Sequence, residues 1–249
     1  MENKKILTIS ILPIMWFIYI VFELISGRIN DMQTIFFNLA LLILLGGIGL
    51  AIYNHSIKFE LGLNKKSILI SFFLLFIFDQ GIKIIIKSFF FDKYISIIPN
   101  VLFFNPIINT DGSWLNARFN ASVNFPLLIV INLVAIFLFI ELYRYYCFRG
   151  ESDYWADMCF IFVTCGALCS FIDKIFYGGS LDFIGISTLF IADIKDIYIN
   201  LGILFFILTL FNNGYLTSSE NTTFKDDINS LNKFVKFILH DIKNKFRTL

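Results

Sequence analysis

The chain has 249 residues, of which 57% are apolar and 18% aromatic, with a mean hydropathy of +0.77 and a formal net charge of +1. Soluble domains of this length are rarely so apolar, and nucleic-acid-binding surfaces need more concentrated Lys and Arg. The composition therefore predicts an integral membrane protein and excludes nucleic acid as a partner.

Six stretches are long and apolar enough to cross a membrane as helices. A spanning helix requires about 20 mostly apolar residues, and windows near that length lie at 6–26, 33–54, 67–88, 127–147, 156–173 and 193–212. The predicted fold is an all-α integral membrane protein. Its predicted parts are two N-terminal membrane helices in 1–66, a four-helix domain in 67–212 and a polar, amphipathic tail in 213–249.

Lys and Arg are unequally distributed between the two sides of these helices. Short cytoplasmic loops favour both residues. Thirteen of them lie on the side of the N-terminus, in loops and in the tail, and six lie on the opposite side: Arg28, Lys87, Lys93, Arg118, Lys174 and Lys195. Both termini are therefore predicted to be cytoplasmic, and segments 89–126 and 174–192 are predicted to face outward.

The third predicted helix contains the stretch FDQGIK, in which Asp79 and Lys83 are four residues apart. Residues at this spacing lie on the same helical face. Ionisable groups within a membrane span are costly unless they are compensated. We interpret the two residues as a structural ion pair that stabilises the helix bundle.

The outward segment that follows, SIIPNVLFFNPIINTDGSW, is predicted to form short strands and turns. Its apolar run is interrupted by Pro99 and Pro106, which disfavour a long helix or a central strand. Trp114 is expected to anchor at the membrane interface. Arg118 is expected to pair with an outer aspartate or with a lipid phosphate.

The cysteine and histidine residues predict neither a metal site nor a cofactor. No CxxC spacing occurs, no pair of histidines lies nearby, and His55 and His240 are isolated in the sequence. The cysteines are interpreted as free thiols; they are Cys147, Cys159, Cys165 and Cys169.

Three aspartates, Asp173, Asp182 and Asp193, lie close together in the sequence, and Lys174 is the cation directly adjacent to one of them. Burial and like-charge proximity would leave one carboxyl of a close pair protonated and its partner ionised. Such a pair can activate water and protonate a scissile carbonyl, as in an aspartic peptidase, without a metal. The structural alternative is that these residues only cap helices.

Five short stretches occur in a characteristic order: DQGIK from Asp79, NTDG from Asn109, GALCSFIDK ending at Lys174, SLDF around Asp182 and LFIAD ending at Asp193. Along residues 67–212 this order resembles the lipoprotein signal peptidase family, signal peptidase II. The resemblance implies four spanning helices, cytoplasmic termini and an outward-facing pair of catalytic aspartates above a small β-rich platform.

The same resemblance assigns roles to particular residues. Asp182 and Asp193 would be the catalytic pair. The supporting or substrate-binding positions would be Asp173, Lys174, Ser170, Asn109 and Gly112. Apart from the resemblance, Arg118 is also expected at a supporting or substrate-binding position, and Asp79 and Lys83 are interpreted as structural from their spacing.

Three positions depart from the family's pattern. Ser170 and Phe190 stand where the family has asparagines, and Lys174 stands where it has arginine. Ser can still form hydrogen bonds, whereas Phe cannot replace an amide, and Lys lacks the planar fork of Arg. These departures predict a divergent member whose substrate contacts differ.

The predicted function is removal of signal peptides from prolipoproteins, on the amino side of a diacylglyceryl-modified cysteine, in the bacterial cytoplasmic membrane among membrane lipids. The main alternative is a non-catalytic protein that binds lipidated peptides on the same scaffold. A CDP-alcohol phosphotransferase is disfavoured, because four residues separate DG from AR in DGSWLNAR and that family has two. The Asp182/Asp193 pair separates peptidase from binder, because an amide at either position cannot transfer the proton.

Overall fold

A computed structural model describes residues 2–110, 125–216 and 224–246. Within these ranges the chain forms α1 (Glu2–Ile25), α2 (Met32–Ser56), α3 (Lys65–Ile85), α4 (Phe125–Phe148), α5 (Tyr154–Phe176), α6 (Ile194–Asn212) and α7 (Phe224–Lys243). The strands are β1 (Ile95–Ile98), β2 (Leu102–Asn109), β3 (Ser180–Ile186) and β4 (Phe190–Ala192). A 3₁₀ turn at Ile57–Phe59 extends α2, and a π-helical turn at Ile86–Phe90 extends α3.

The six helices α1 to α6 are long and apolar enough to span a membrane, which confirms the predicted number among the described residues. Each helix begins and ends within a few residues of its predicted window. Many large apolar side chains on these helices are exposed, such as Ile43, which is 80% exposed. Such a surface suits hydrocarbon rather than water.

Helices α5 and α6 pack closely because small residues lie between them. A Cβ atom added to Gly202 would lie 2.6 Å from Val163 Cγ2, and one added to Gly166 would lie 2.9 Å from Ile199 Cγ1. Small residues allow membrane helices to approach closely. The end of α5 and the start of α6 are thereby brought to the same end of the helix pair.

The connection between α5 and α6 forms half of an antiparallel four-stranded sheet with the order β1-β2-β3-β4. Pro106 lies in β2 where the register shifts between Phe104 and Ile107, as expected for a proline at an irregular position. Pro99 lies in the turn that follows β1. The predicted β platform is thus confirmed, and Asp182 lies in β3 opposite Ile107.

The tail helix α7 packs against α4 through a partly buried ion pair and an aromatic cluster. Arg144 Nη2 donates to Asp241 Oδ2 at 2.7 Å, and the ring centroid of Tyr145 lies 5.5 Å from that of Phe234 and 5.3 Å from that of Phe237. One side of the amphipathic helix is therefore in contact with the helix bundle. Exposed apolar side chains such as Leu239 lie elsewhere on it.

Candidate active site

The structure brings together the two aspartates that the sequence proposed as a pair. Asp182 on β3 and Asp193 before α6 are both buried. One carboxylate oxygen from each of Asp182, Asp193 and Asp196 forms a group in which all three oxygens lie within 4.8 Å of one another. Residues eleven positions apart thus share one polar centre because the β3–β4 hairpin folds back on itself.

Asp193 is held in place as the N-cap of α6. Its Oδ1 accepts a hydrogen bond from the Asp196 amide at 3.2 Å, and Asp196 Oδ2 accepts one from the Asp193 amide at 3.1 Å. This reciprocal arrangement is a capping box. The capping role left open by the sequence is therefore real, and it leaves Oδ2 of Asp193 to contact cations.

Lys83 joins the centre from α3. Its Nζ atom lies 2.6 Å from Asp193, 2.7 Å from Asp173 and 3.0 Å from Asp79, and all four side chains are fully buried. The predicted contact between Asp79 and Lys83 exists, but it is not an isolated pair. Lys83 links that pair to two aspartates on other elements.

Asp173, at the end of α5, is positioned by residues of α3. Besides the ion pair with Lys83, its Oδ1 accepts a hydrogen bond from Gln80 Nε2 at 3.1 Å, and Gln80 also donates to Asp79 at 3.0 Å. The DQ dipeptide of α3 therefore contacts Asp173 both directly and through Lys83. These contacts fit the supporting role that the family resemblance implied.

Lys195, in the first turn of α6, is the residue that sequence reasoning missed. Its Nζ atom lies 2.5 Å from Asp193, 3.4 Å from Asp173 and 3.7 Å from Asp182, and it also donates to Ser180 Oγ. The only sequence signal was its position two residues after Asp193. The long lysine side chain allows the ammonium group of Lys195 to reach three aspartates on different elements.

Lys174, the cation adjacent to Asp173 in the sequence, is not the one that contacts the aspartates. Lys174 donates to Ser170 Oγ at 2.5 Å, and among the described residues it forms no ion pair. The cations within 4 Å of the aspartates are Lys83 and Lys195. Lys83 comes from α3, which is distant from the aspartates in the sequence, because helix packing as well as adjacency decides which charges meet.

Asp182 is oriented by the neighbouring strand. Asn109 on β2 donates from Nδ2 to Asp182 Oδ2 at 2.9 Å, and Ser180 donates to Oδ1. Asn109 and Ser180 face each other in the β2–β3 register. Asn109 is thus at the site, as expected, while Gly112, Arg118 and Trp114 lie outside the described residues.

The environments of Asp182 and Asp193 displace their pKa values in opposite directions. Burial raises the pKa of Asp182 above its ordinary value, although Lys195 and two hydrogen bonds partly oppose this. Burial would also raise the pKa of Asp193, but the ammonium groups of Lys195 and Lys83 outweigh it and lower that pKa. Asp193 therefore ionises at a lower pH than an ordinary aspartate, and Asp182 ionises at a higher pH.

A cavity of about 900 Å³ opens beside this centre. Asp182 and Lys195 line it, whereas Asp193 is fully buried. Its polar lining also includes Asn109, Ser170, Lys174 and Ser180, and its apolar lining includes Leu12, Met15, Trp16, Leu45, Ile48 and Leu201. The cavity thus joins an acidic polar centre to a wall suited to an apolar ligand.

The carboxylates of Asp182, Asp193 and Asp196 are also close enough together to be a group of the kind that can hold a metal ion. In this arrangement the ammonium of Lys195 already contacts two of them. The carboxylates are therefore supplied with a positive charge by the protein itself.

Comparison with known proteins places most of this chain in a known family. A sequence profile described as signal peptidase (SPase) II matches residues 71–212, which is more than half of the chain. No curated protein matches at a significant level. The matched segment contains α3 apart from its first residues, the whole sheet, and α4 to α6.

Of two similar solved structures, the first shares the fold. A bacterial membrane enzyme determined by the in meso method at 2.3 Å resolution is 19% identical, with a TM-score of 0.52, and the match covers 66% of this chain and 99% of that one. A second, at 1.9 Å resolution, is 21% identical with a TM-score of 0.49, covering 61% and 96%. Because the profile match spans the helices and the strand hairpin that carry the aspartates, this chain belongs to the signal peptidase II family.

Proposed function

We propose that the protein is a metal-independent aspartic endopeptidase that cleaves prolipoprotein signal peptides on the amino side of a diacylglyceryl-modified cysteine. Family membership supports a lipoprotein signal peptidase activity. The single observation that carries the catalytic assignment is the pair Asp182 and Asp193, which are close together beside a cavity and have oppositely displaced pKa values.

The opposite displacements assign a role to each carboxyl group. Ionised Asp193 takes a proton from water as the water oxygen attacks the scissile carbonyl carbon, and protonated Asp182 gives its proton to the carbonyl oxygen. When the tetrahedral intermediate collapses, Asp193 returns its proton to the departing amine and Asp182 recovers the proton of the hydroxyl. Both residues end in their starting states, and no covalent intermediate forms.

Lys195 must move for this reaction to proceed. Asp193 is fully buried, and its Oδ2 contacts Lys195 Nζ at 2.5 Å. A shift of the ammonium group from Asp193 toward the substrate carbonyl oxygen would uncover the base and supply a donor to the developing negative charge. Lys83 remains 2.6 Å from Asp193 and keeps the base ionised during this shift.

The remaining site residues are proposed to orient the aspartates or the peptide. Asn109 orients Asp182, and Asp173 anchors both lysines. Ser170 and Lys174 line the cavity and are proposed to contact the peptide backbone or the lipidated residue. Gly112 and Arg118 are proposed to act in substrate binding.

The orientation of this multi-pass membrane protein is proposed from its charges. The Lys and Arg distribution favours cytoplasmic termini, and α3 and α5 both run toward the end that carries the sheet. The active site would then face the outer side of the bacterial cytoplasmic membrane. A lipidated substrate would approach from the bilayer.

A second candidate is a protein that binds lipidated peptides without cleaving them. The observation in its favour is the position of Lys195, which forms ion pairs with both aspartates and could keep Asp193 permanently occupied. The cavity would serve such a protein equally well. Catalytic turnover separates the two candidates.

The test uses the full chain purified in detergent and a diacylglyceryl-modified prolipoprotein, with cleavage followed by mass spectrometry in the presence of a chelator. Wild type and the control Asp92→Asn, an exposed residue, should cleave before the lipidated cysteine. Asp182→Asn and Asp193→Asn should lose activity by about 10³-fold. Substrate binding without cleavage by the folded wild type would favour the binder, and loss of activity in chelator would refute the metal-free mechanism.

A further inference from the structure

The α1–α2 hairpin lies outside the segment that matches the family profile, yet it forms part of the cavity. The profile begins at residue 71, whereas α1 and α2 end at Ile25 and Ser56. These helices contribute Leu12, Met15, Trp16, Tyr19, Leu45 and Ile48 to the cavity lining. The cavity beside Asp182 therefore has a wall that the family segment does not supply.

The hairpin also packs against the strand that leads into Asp193. The ring centroid of Phe190 on β4 lies 6.1 Å from that of Trp16 and 5.6 Å from that of Tyr19, both at steep interplanar angles. Edge-to-face pairs of this kind are favourable. Phe190 stands where the family resemblance places an asparagine, so the unusual residue is the one that contacts the additional helices.

Arg28, just after α1, holds the turn between β3 and β4. Its Nη2 donates to the carbonyl oxygens of Thr188 and Leu189, the latter at 2.7 Å. Its Nη1 lies 3.3 Å from Oε1 of Glu23, whose side chain is fully buried. Two backbone carbonyls of the turn are thus tied to α1 through a planar group that can bind several acceptors at once.

Further contacts complete this junction. Thr34 Oγ1 of α2 lies 3.2 Å from Ser187 Oγ in the same turn. Below the polar contacts, Leu189 is buried with Ile20 and Ile29 in one apolar cluster. The turn is therefore fixed by charged, polar and apolar contacts with the hairpin.

We propose that the α1–α2 hairpin completes the active site: it walls the cavity against the apolar part of the substrate, and Arg28 is a positioning residue for the two aspartates. The reason is connectivity, because the turn held by Arg28 joins the strand that carries Asp182 to the strand that ends before Asp193. The proposal rests on the proposed peptidase function for its substrate.

The wall is tested with two substitutions on the same helix. Ile48→Trp places a larger ring at the cavity, whereas Ile43→Trp changes a residue that is 80% exposed. We expect Ile48→Trp to raise KM for the lipidated substrate about tenfold with little change in kcat, and Ile43→Trp to resemble wild type. Equal KM values for both variants and wild type would overturn the wall.

The positioning role is tested with Arg28→Ala and Arg28→Lys against Arg149→Ala, which removes an exposed arginine 3.9 Å from Glu151. Arg28→Ala should lower kcat about tenfold and displace the pH profile of kcat, because the two aspartates are no longer held at one spacing. Arg28→Lys should restore only part of kcat, and Arg149→Ala should change neither quantity. An unchanged kcat and pH profile in Arg28→Ala would overturn the positioning role.

Hydrogen–deuterium exchange of residues 185–192 separates failure of this inference from failure of the proposed function. Faster exchange in Arg28→Ala than in Arg149→Ala is expected whether or not the wild type cleaves. If wild type does not cleave, the peptidase assignment fails. The hairpin proposal is overturned separately if exchange is unchanged in Arg28→Ala and if Ile48→Trp binds the lipidated peptide as wild type does.

Discussion

Replacing Lys195 with methionine tests how the two aspartates divide their roles. The ammonium group lies 2.5 Å from Asp193 and 3.7 Å from Asp182. Because the attraction between two charges varies inversely with distance, Lys195 acts about 1.5 times more strongly on Asp193. The substitution should therefore raise the pKa of Asp193 more than that of Asp182.

This difference predicts the change in the pH profile of kcat/KM, which reports the ionisation of the free enzyme, in which Lys195 still contacts Asp193. Activity requires ionised Asp193 on the acid side and protonated Asp182 on the alkaline side. The acid limb of Lys195→Met should move upward further than the alkaline limb, so the active range becomes narrower and shifts to higher pH. The maximum kcat should fall about 10²-fold, because the donor to the carbonyl oxygen is lost.

The assay measures kcat/KM and kcat for cleavage of the lipidated substrate between pH 4 and 10, roughly the range of carboxyl and ammonium titration; the limbs are read from kcat/KM. Lys174→Met is the matched control, because Lys174 is also buried beside the cavity but donates to Ser170. Its profile should keep the wild-type limbs. Limbs that move equally in the two lysine variants, or that do not move in Lys195→Met, would refute the assignment of Asp193 as the base.

Three further predictions concern the same centre. In unfolding measurements, the stability that Asp193 contributes should be present above about pH 4 and should be lost as the pH falls through its lowered pKa. Asp182 should instead destabilise the protein as the pH rises from about 4 through its raised pKa. Asp193→Asn and Asp182→Asn should therefore show opposite pH trends in unfolding free energy relative to wild type, and parallel trends would contradict the opposite pKa displacements. Lys83→Met should cost about 4 kcal/mol of unfolding free energy, because three buried carboxylates lose a cation at 2.6 to 3.0 Å, whereas the exposed Lys87→Met should stay near wild type in a denaturant titration. Asn109→Ala should move the alkaline limb of kcat to higher pH, because a donor to ionised Asp182 is removed; an unmoved limb would show that Asp182 is not the acid.

The amino-acid sequence was sufficient for the membrane helices, the strands and the aspartate pair. Helix position in a membrane depends on local hydropathy, since each helix satisfies its own backbone hydrogen bonds, and Pro99 and Pro106 locally interrupt the outward segment. The proposal that Asp182 and Asp193 form a pair came from the short motifs SLDF and LFIAD. These features depend on residues close together in the chain.

Tertiary structure alone decided which charges meet those aspartates. Lys83 comes from α3, and Lys195 reaches back from α6, whereas the adjacent Lys174 bonds to Ser170. The direction of a long side chain depends on the packing of helices against one another, which sequence distance does not reveal. The contact of Phe190 with the α1–α2 hairpin has the same origin: residues far apart in the chain become neighbours only when the helices and the sheet have assembled.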